Sequence, residues 1–184
     1  LAAVRALAKL GASAAERLVE VAETSRDHEL SVAAIRALGQ GGEGVALEVL
    51  RRLSREPSEM VAVAAVDALA RLQDPERIDA LIDAVAHGSA EVVKAALSGL
   101  ARERDPRALA HLCASLDHDA WDVRRLSADL LGRVGGPTSM SLLRSKLASE
   151  QEPLVRAALS RALESLEASG GLRKTLPPPG SRAR

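Results

Sequence analysis

The sequence predicts an all-α protein, a solenoid of about five helical hairpins closed by a C-terminal capping helix. Three observations predict it. The chain repeats itself about every 31 residues, each half of a repeat carries apolar residues at helical spacing, and the composition lacks the bulky side chains of a compact core. The segment MVAVAAVDALARLQDPERIDALIDAVAHG (60–88) is one whole unit. Val61, Ala64, Ala65, Val66 and Leu69 line its first half, Ile78, Leu81, Ile82 and Val85 line its second, and Asp74-Pro75 divides them. Apolar residues at i, i+3, i+4 and i+7 bury one face per helix, so the unit is a helical hairpin.

Sliding the sequence by 31 residues aligns first-helix positions as Val4, Ile35, Val66, Leu97 and Ala128, and three residues on as Leu7, Leu38, Leu69, Leu100 and Leu131. Second helices align as Val19, Leu50, Leu81, Leu112 and Leu143. One inserted residue shifts the last copy, so that Val123 matches Val155 and Leu131 matches Leu163. Registers held over four steps make a repeat architecture.

Taken in order, the first hairpin places helices over 1–10 and 14–24, with Ser13 and Glu16 as a capping box for the second of them. The next takes 29–39 and 44–54. The third takes 59–72 and 75–86, and the fourth 90–103 and 106–116. There Asp74 and Asp105 suit the N-cap, and Pro75 and Pro106 the first helical position, where a missing N–H costs nothing. The fifth takes 121–133 and 137–148. A last helix over 153–168 has no partner, and Arg161, Glu164 and Glu167 face outward as a terminal cap requires. Gly11, Gly39, Gly41, Gly42, Gly132, Gly135 and Gly136 fall after first helices, where left-handed residues are expected to end them. Gly170-Gly171 are expected to end the last helix. The residues that follow, LRKTLPPPGSRAR, hold three consecutive prolines and four basic residues, so 169–184 reads as a disordered basic tail.

Composition bounds the function. The chain has 25 basic and 25 acidic residues, 47% hydrophobic residues, one Trp and neither Phe nor Tyr. Ordinary cores of this size use aromatic volume; stacked small helical layers can be filled by Ala, Val and Leu. Without the four basic residues of the tail the body holds 21 basic and 25 acidic residues, a balance of −4, which argues against phosphate or an anionic membrane as partner. No apolar run reaches membrane-spanning length. The lone Cys113 excludes an internal disulfide and suits a reducing compartment, so a cytoplasmic setting is the expectation. The chain begins at Leu1 inside a helical pattern, and a fragment of a longer protein is expected.

Units such as VRRLSADLLGRVGGPTSMSLLRSKL (123–147) and VAAIRALGQGGEGVALEVLRRL (32–53) resemble the short HEAT-like repeats of the PBS-lyase type, whose pattern is roughly V-R-x-x-A-x-x-A-L-G-x-L-G-D-P-x-A-x-x-x-L. The resemblance covers residues 1–168. It implies a right-handed α-α superhelix of bacterial type, with second helices lining the concave side. At roughly 8–10 Å between packed helices, five units would span about 50 Å. Such repeats occur in bilin lyase subunits, signalling adaptors and hydroxylases, so the resemblance names a fold and leaves activity open.

Several constellations have a functional reading and a plainer one. His28-Glu29 resembles the His-Glu pairs with which HEAT-like deoxyhypusine hydroxylases hold iron. That family uses several facing pairs, whereas the nearest echo here, His118-Asp119, lies three repeats away and His87 is followed by Gly88; capping of helix starts is the plainer role. Cys113 and His111 are two positions apart on different helix faces, which does not make a nucleophile–base pair, and Cys113 reads as a small core hydrophobe beside Ile82. Trp121 is either an interface anchor or the cover of a seam between repeats. Lys9, Gln40, Arg71, Arg102 and Arg133 align as a basic row at the ends of first helices, where they also complement the helix dipole.

The second-helix faces pair opposite signs across repeats: Arg17 beside Glu48, Glu20 beside Arg51, Arg52 beside Asp83. The plain reading is a ladder of exposed ion pairs worth about 0–1 kcal/mol each. The functional reading is a smoother patch at Ala110 and Ala114, rimmed by Arg51, Arg52, Asp79, Asp83 and Arg144, that docks a helix or extended acidic segment of another protein. The sequence thus predicts a non-catalytic protein-binding scaffold that holds no metal or cofactor. The alternatives are a bilin lyase or isomerase subunit, which the absence of aromatics for a tetrapyrrole cleft disfavours, and nucleic-acid binding through the Arg row.

Overall fold

A computed structural model describes residues 12–41, 45–103 and 105–175. The described residues form ten α-helices and one 3-10 turn, and no strand. In order they are α1 (Ala12–Thr24), α2 (His28–Gly41), α3 (Val45–Leu53), α4 (Glu59–Leu69), α5 (Arg77–Ala84), α6 (Ala90–Leu100), α7 (Pro106–Ala114), the 3-10 turn Ser115–Asp117, α8 (Trp121–Val134), α9 (Pro137–Ser149) and α10 (Pro153–Thr175). The helices expected over 14–24 and onward are all present; the one expected over 1–10 lies outside the described residues. Contacts divide the chain into two units, Leu1–His111 and Leu112–Arg184.

In the first unit the first helices α2, α4 and α6 stack side by side, each also packing on a second helix. α4 is the clearest case. Seven of its eleven residues are buried, Val61, Ala62, Ala64, Ala65, Val66, Ala68 and Leu69, because it is covered on both flanks as well as from behind. The repeat leucines do the filling: Leu38, Leu69, Leu100 and Leu131 are fully buried, as are Leu50, Leu81, Leu112 and Leu143.

Small residues set how near the first helices come. A Cβ added to Gly39 would lie 2.8 Å from Ala68 Cα, and one added to Gly99 3.0 Å from Ala70 Cβ. The second unit repeats the first of these contacts, with Gly132 at 2.8 Å from Ala162 Cα by the same construction. This corrects the expected role of the glycines. α2 runs through Gly39 to Gly41 and α8 through Gly132 to Val134. Gly135 and Gly136 follow α8 in extended backbone, with φ of −71° and −147°, rather than left-handed. Gly11 and Gly42 lie outside the described residues. The missing side chain is used for close approach, where it offsets the roughly 1 kcal/mol that glycine costs inside a helix.

Helix starts follow the local chemistry. Asp74 Oδ1 accepts the Glu76 N–H at 2.9 Å and Asp105 Oδ1 the Arg107 N–H at 2.8 Å. α5 begins only at Arg77 with Glu76 at its N-cap, so Asp74 closes the turn that leads into α5 and Pro75 is not its first residue, whereas Asp105 caps α7 as its position before proline implies. Ser89 does the same for Glu91, and Asp27 for Glu29 and Leu30. Ser13 lies within α1, whose described part runs from Ala12.

In the second unit α10 packs along α8 and against α9. Two arginines in matching register tie its loops. Arg124 donates to the His118 and Asp119 carbonyls and to both Glu150 oxygens, at 2.8–3.0 Å, and Arg156 donates to the Leu147 and Glu150 carbonyls. Arg161 pairs with Asp129 and Glu167 with Arg144, so two of the three outward cap residues are engaged. The expected boundary at residue 168 falls inside α10, which continues through Gly170-Gly171 to Thr175. Glycine disfavours a helix without forbidding it, and the following Leu172, Arg173 and Lys174 are strong helix formers. The rest of the predicted tail, 176–184, is outside the described residues.

Two predictions follow from this packing. Gly39→Ala should lower stability by about 1–3 kcal/mol despite its better helix propensity, because its Cβ forces α2 off α4; Gly88→Ala, with nothing within 4 Å, should be near neutral in the same urea melts. The Glu150 carboxyl is held down at about 2, from an ordinary 4.5, chiefly by the Arg124 hydrogen bond. A depressed carboxyl stabilises the fold above its ordinary value. On the order of 2 kcal/mol should therefore be lost as pH falls from about 5 to 2, and Glu150→Gln should flatten that part of the pH–stability curve.

Candidate functional site

The second-helix face of the first unit is a ladder of charges. Arg51 donates to Asp83 Oδ2 from Nη2 at 2.7 Å and from Nε at 3.2 Å, and Arg55 joins the same oxygen at 2.9 Å. Arg107 reaches Asp79 at 2.5 Å and Asp105 at 2.8 Å. Arg51 holds the Asp83 carboxyl below the usual carboxylate range, and Arg107 does the same to Asp105. Among the described residues none of the three expected pairs forms, and the ladder is built one position away. Arg51 bonds forward to Asp83 and Arg52 backward to Glu23. Neighbouring side chains on a helix diverge by about 100°, so two consecutive arginines serve opposite neighbours.

The seven residues predicted as a docking patch are thus distributed as follows. Arg51, Asp79 and Asp83 share one electrostatic neighbourhood, with Asp79 acting on Arg51 as well. Arg52 turns away to a cavity of about 480 Å³ walled by Glu23, His28, Glu56 and Ser58. Ala110 is exposed on α7 in the first unit. Ala114 and Arg144 belong to the second, where Ala114 is exposed and Arg144 pairs with Glu167 at 2.7 Å. All five charged members are engaged in ion pairs.

A second feature was missed by the sequence reading. The outer face of α2, α4 and α6 carries an open groove of about 670 Å³. Val32, Ala33, Val63 and Ala64 floor it, Met60 stands 48% exposed in it, and Glu29, Arg36, Glu59, Asp67 and Glu91 surround them. Glu59 accepts the Ser89 hydroxyl at 2.6 Å and Glu91 pairs with Lys94 at 2.7 Å. Among the described residues Glu29, Arg36 and Asp67 have no ion-pair partner. The large hydrophobics left exposed among the described residues are Met60, Trp121, Val134 and Leu154, and all lie on first helices or on α10, which follows their register. Met60 and Leu154 share one register position and Trp121 precedes it, so the signal was present as an apolar residue recurring where Glu29 and Glu91 stand.

The remaining constellations take structural roles. His87 Nδ1 accepts the Ser89 N–H and His118 Nδ1 the Ala120 N–H, a matching loop cap in consecutive repeats. No three His, Cys, Asp or Glu residues among those described are placed to hold a metal. Cys113 is half-buried and burial pushes its thiol up, away from a reactive thiolate. Trp121 is 43% exposed under the Arg125 guanidinium, 5.9 Å from the ring centre. Arg71, Arg102 and Arg133 are exposed at the first-helix ends. No helix among the described residues is long and apolar enough to cross a membrane.

Comparison with known proteins agrees with the packing. A sequence profile for HEAT repeats matches residues 15–101, 47–130 and 94–164. Among solved structures, an engineered protein is similar at 25% identity, with 90% of this chain and 89% of that one covered and a TM-score of 0.53. A computationally designed armadillo repeat protein for modular peptide recognition is similar at 22% identity, covering 90% and 92%, with a TM-score of 0.53. A further designed armadillo repeat protein, in complex with the peptide (KR)4, aligns at 21% identity over 90% and 92% with a TM-score of 0.52. No curated protein matches in sequence.

The ion ladder itself is open to measurement. Arg51 and Asp83 are each about one-third exposed, so a double-mutant cycle to alanine should return a coupling of only about 0.5–1 kcal/mol in denaturant melts.

Proposed function

The chain belongs to the HEAT-repeat family, and from that premise we propose that it is a non-catalytic scaffold that binds a segment of another protein on its first-helix face. One observation carries the reading: Met60, the large hydrophobic left exposed among the described residues of the first unit, shares one groove with Glu29, Arg36 and Asp67, charges without an ion-pair partner among those residues, over a floor of Val32, Ala33, Val63 and Ala64. An apolar floor open to solvent and rimmed by charged residues is the kind of patch that marks an interaction site. The sequence-derived alternative places an acidic segment on the second helices, steered by Arg51, Arg52 and Arg144 with Asp79, Asp83, Ala110 and Ala114 beside them. There a partner's carboxylates would have to displace Asp83, Glu23 and Glu167, each already in place, so an exchange of pairs gains little.

The two surfaces separate in one experiment. A photo-cross-linking residue is placed at Val63 in the groove or at exposed Ala110 on α7, in the full-length protein in its native cell. A discrete adduct is expected from Val63. An adduct from position 110 and none from 63 would move the site to the second helices, and none from either would remove the scaffold reading.

A further inference from the structure

The groove on α2, α4 and α6 also specifies its occupant. Resting on the scaffold reading, we propose that it is a docking channel for a basic, apolar segment of a partner protein, anchored by the Glu29 and Asp67 carboxylates over a floor of Met60 and Val63. The charge argues for it. Four carboxylates, Glu29, Glu59, Asp67 and Glu91, face one groove guanidinium, Arg36, and only Glu91 has an ion-pair partner, Lys94. Removing that pair leaves three carboxylates against one cation.

Three of the acids have a local explanation. Glu29, Glu59 and Glu91 stand in the first turns of their helices, where a carboxylate complements the dipole. Asp67 has none. It lies in the last turn of α4, where the dipole disfavours a negative charge. It is exposed, and it forms no pair with Arg36, which occupies the same position of the preceding repeat. An unfavourable, uncompensated charge beside exposed apolar surface is accounted for by a cation that arrives with the partner.

The repeat sets the spacing as well. A chain crossing α2, α4 and α6 meets a carboxylate on each helix, at the roughly 8–10 Å separation of packed helices. A polyproline-II segment returns to one face every third residue, about 9 Å on. Basic residues at every third position, with apolar ones between, match that step.

The test titrates the full chain with a peptide of four Lys-Leu-Pro repeats, and with the same peptide carrying Glu for Lys. The lysine peptide should bind, more weakly as salt rises, and the glutamate peptide should not. Asp67→Asn and Glu29→Gln should each weaken binding about two- to fivefold, and Met60→Glu should weaken it more. Asp67→Asn should leave the melting temperature unchanged or higher, which a merely structural aspartate would not do. Equal binding of both peptides, or binding indifferent to Asp67 and Glu29, would overturn the proposal. A Val63 photo-adduct without lysine-peptide binding would overturn the basic chemistry alone and leave the scaffold reading standing. Loss of both would end both.

Discussion

The contact on which the rest depends is that of Gly39 with Ala68, found again as Gly132 with Ala162. In each unit it brings two first helices to backbone contact, a distance no larger residue at that register permits. Its consequences spread outward. The repeat leucines behind it must fill a thin layer, which explains a core of Leu, Val and Ala with no Phe or Tyr. On the second-helix side the link is made instead by long charged side chains, Arg51 and Arg55 to Asp83, and Arg107 to Asp79. Backbone contact on one side and ion pairs on the other are two solutions to holding repeats in register, and they leave two unlike surfaces.

Those surfaces differ in what their charges are doing. On the second helices each predicted site charge has a partner, while Arg17, Glu20 and Glu48 stand there without an ion pair among the described residues. On the first helices of the first unit, small residues lie between the stacked helices and leave little to project outward from the seam. The outward side chains therefore stand over a shallow apolar floor, and Glu29, Arg36 and Asp67 stand there without partners among the described residues.

Much of the fold could be read from the amino acids because it depends on local or strictly periodic features. Asp105 before proline marks the start of α7, and Asp74 the turn that leads into α5, each through a bond spanning two residues. The 31-residue alignment of Leu38, Leu69, Leu100 and Leu131 needs nothing beyond the chain itself. Helix ends were harder. A glycine near an end can stop a helix or thin it, and only the neighbouring helix decides, as Ala68 does for Gly39. The ion ladder failed by one register for the same kind of reason: Arg51 and Arg52 differ in direction by a rotation that alignment by repeat does not carry. The patch named from sequence was a list of aligned positions, and alignment does not say which charges are already neutralised. The groove was hidden because its defining property is the absence of partners around Asp67 and Arg36, which appears only when all neighbours are in place.

That property also explains why the repeat's departures from its own pattern are informative. A solenoid needs each unit to present the same inner face to the next, so the inner positions are nearly uniform and speak of stability. Outward positions of the first helices have no such duty. Where the repeat places Glu29 and Glu91 it also places Met60 and Leu154, and where it places Arg36 it places Asp67 and then Ser98. Neither exchange improves packing within the chain, since Met60 and Leu154 stay about half exposed and Asp67 opposes the dipole of its own helix. In the first unit the groove thus sets Met60 beside Glu29, Arg36 and Asp67, which have no ion-pair partner among the described residues, whereas Arg51, Asp79 and Asp83 on the second helices are already paired. Binding energy comes from groups not yet satisfied, and that is the ground for proposing the groove, rather than the paired second-helix charges, as the place where a partner docks.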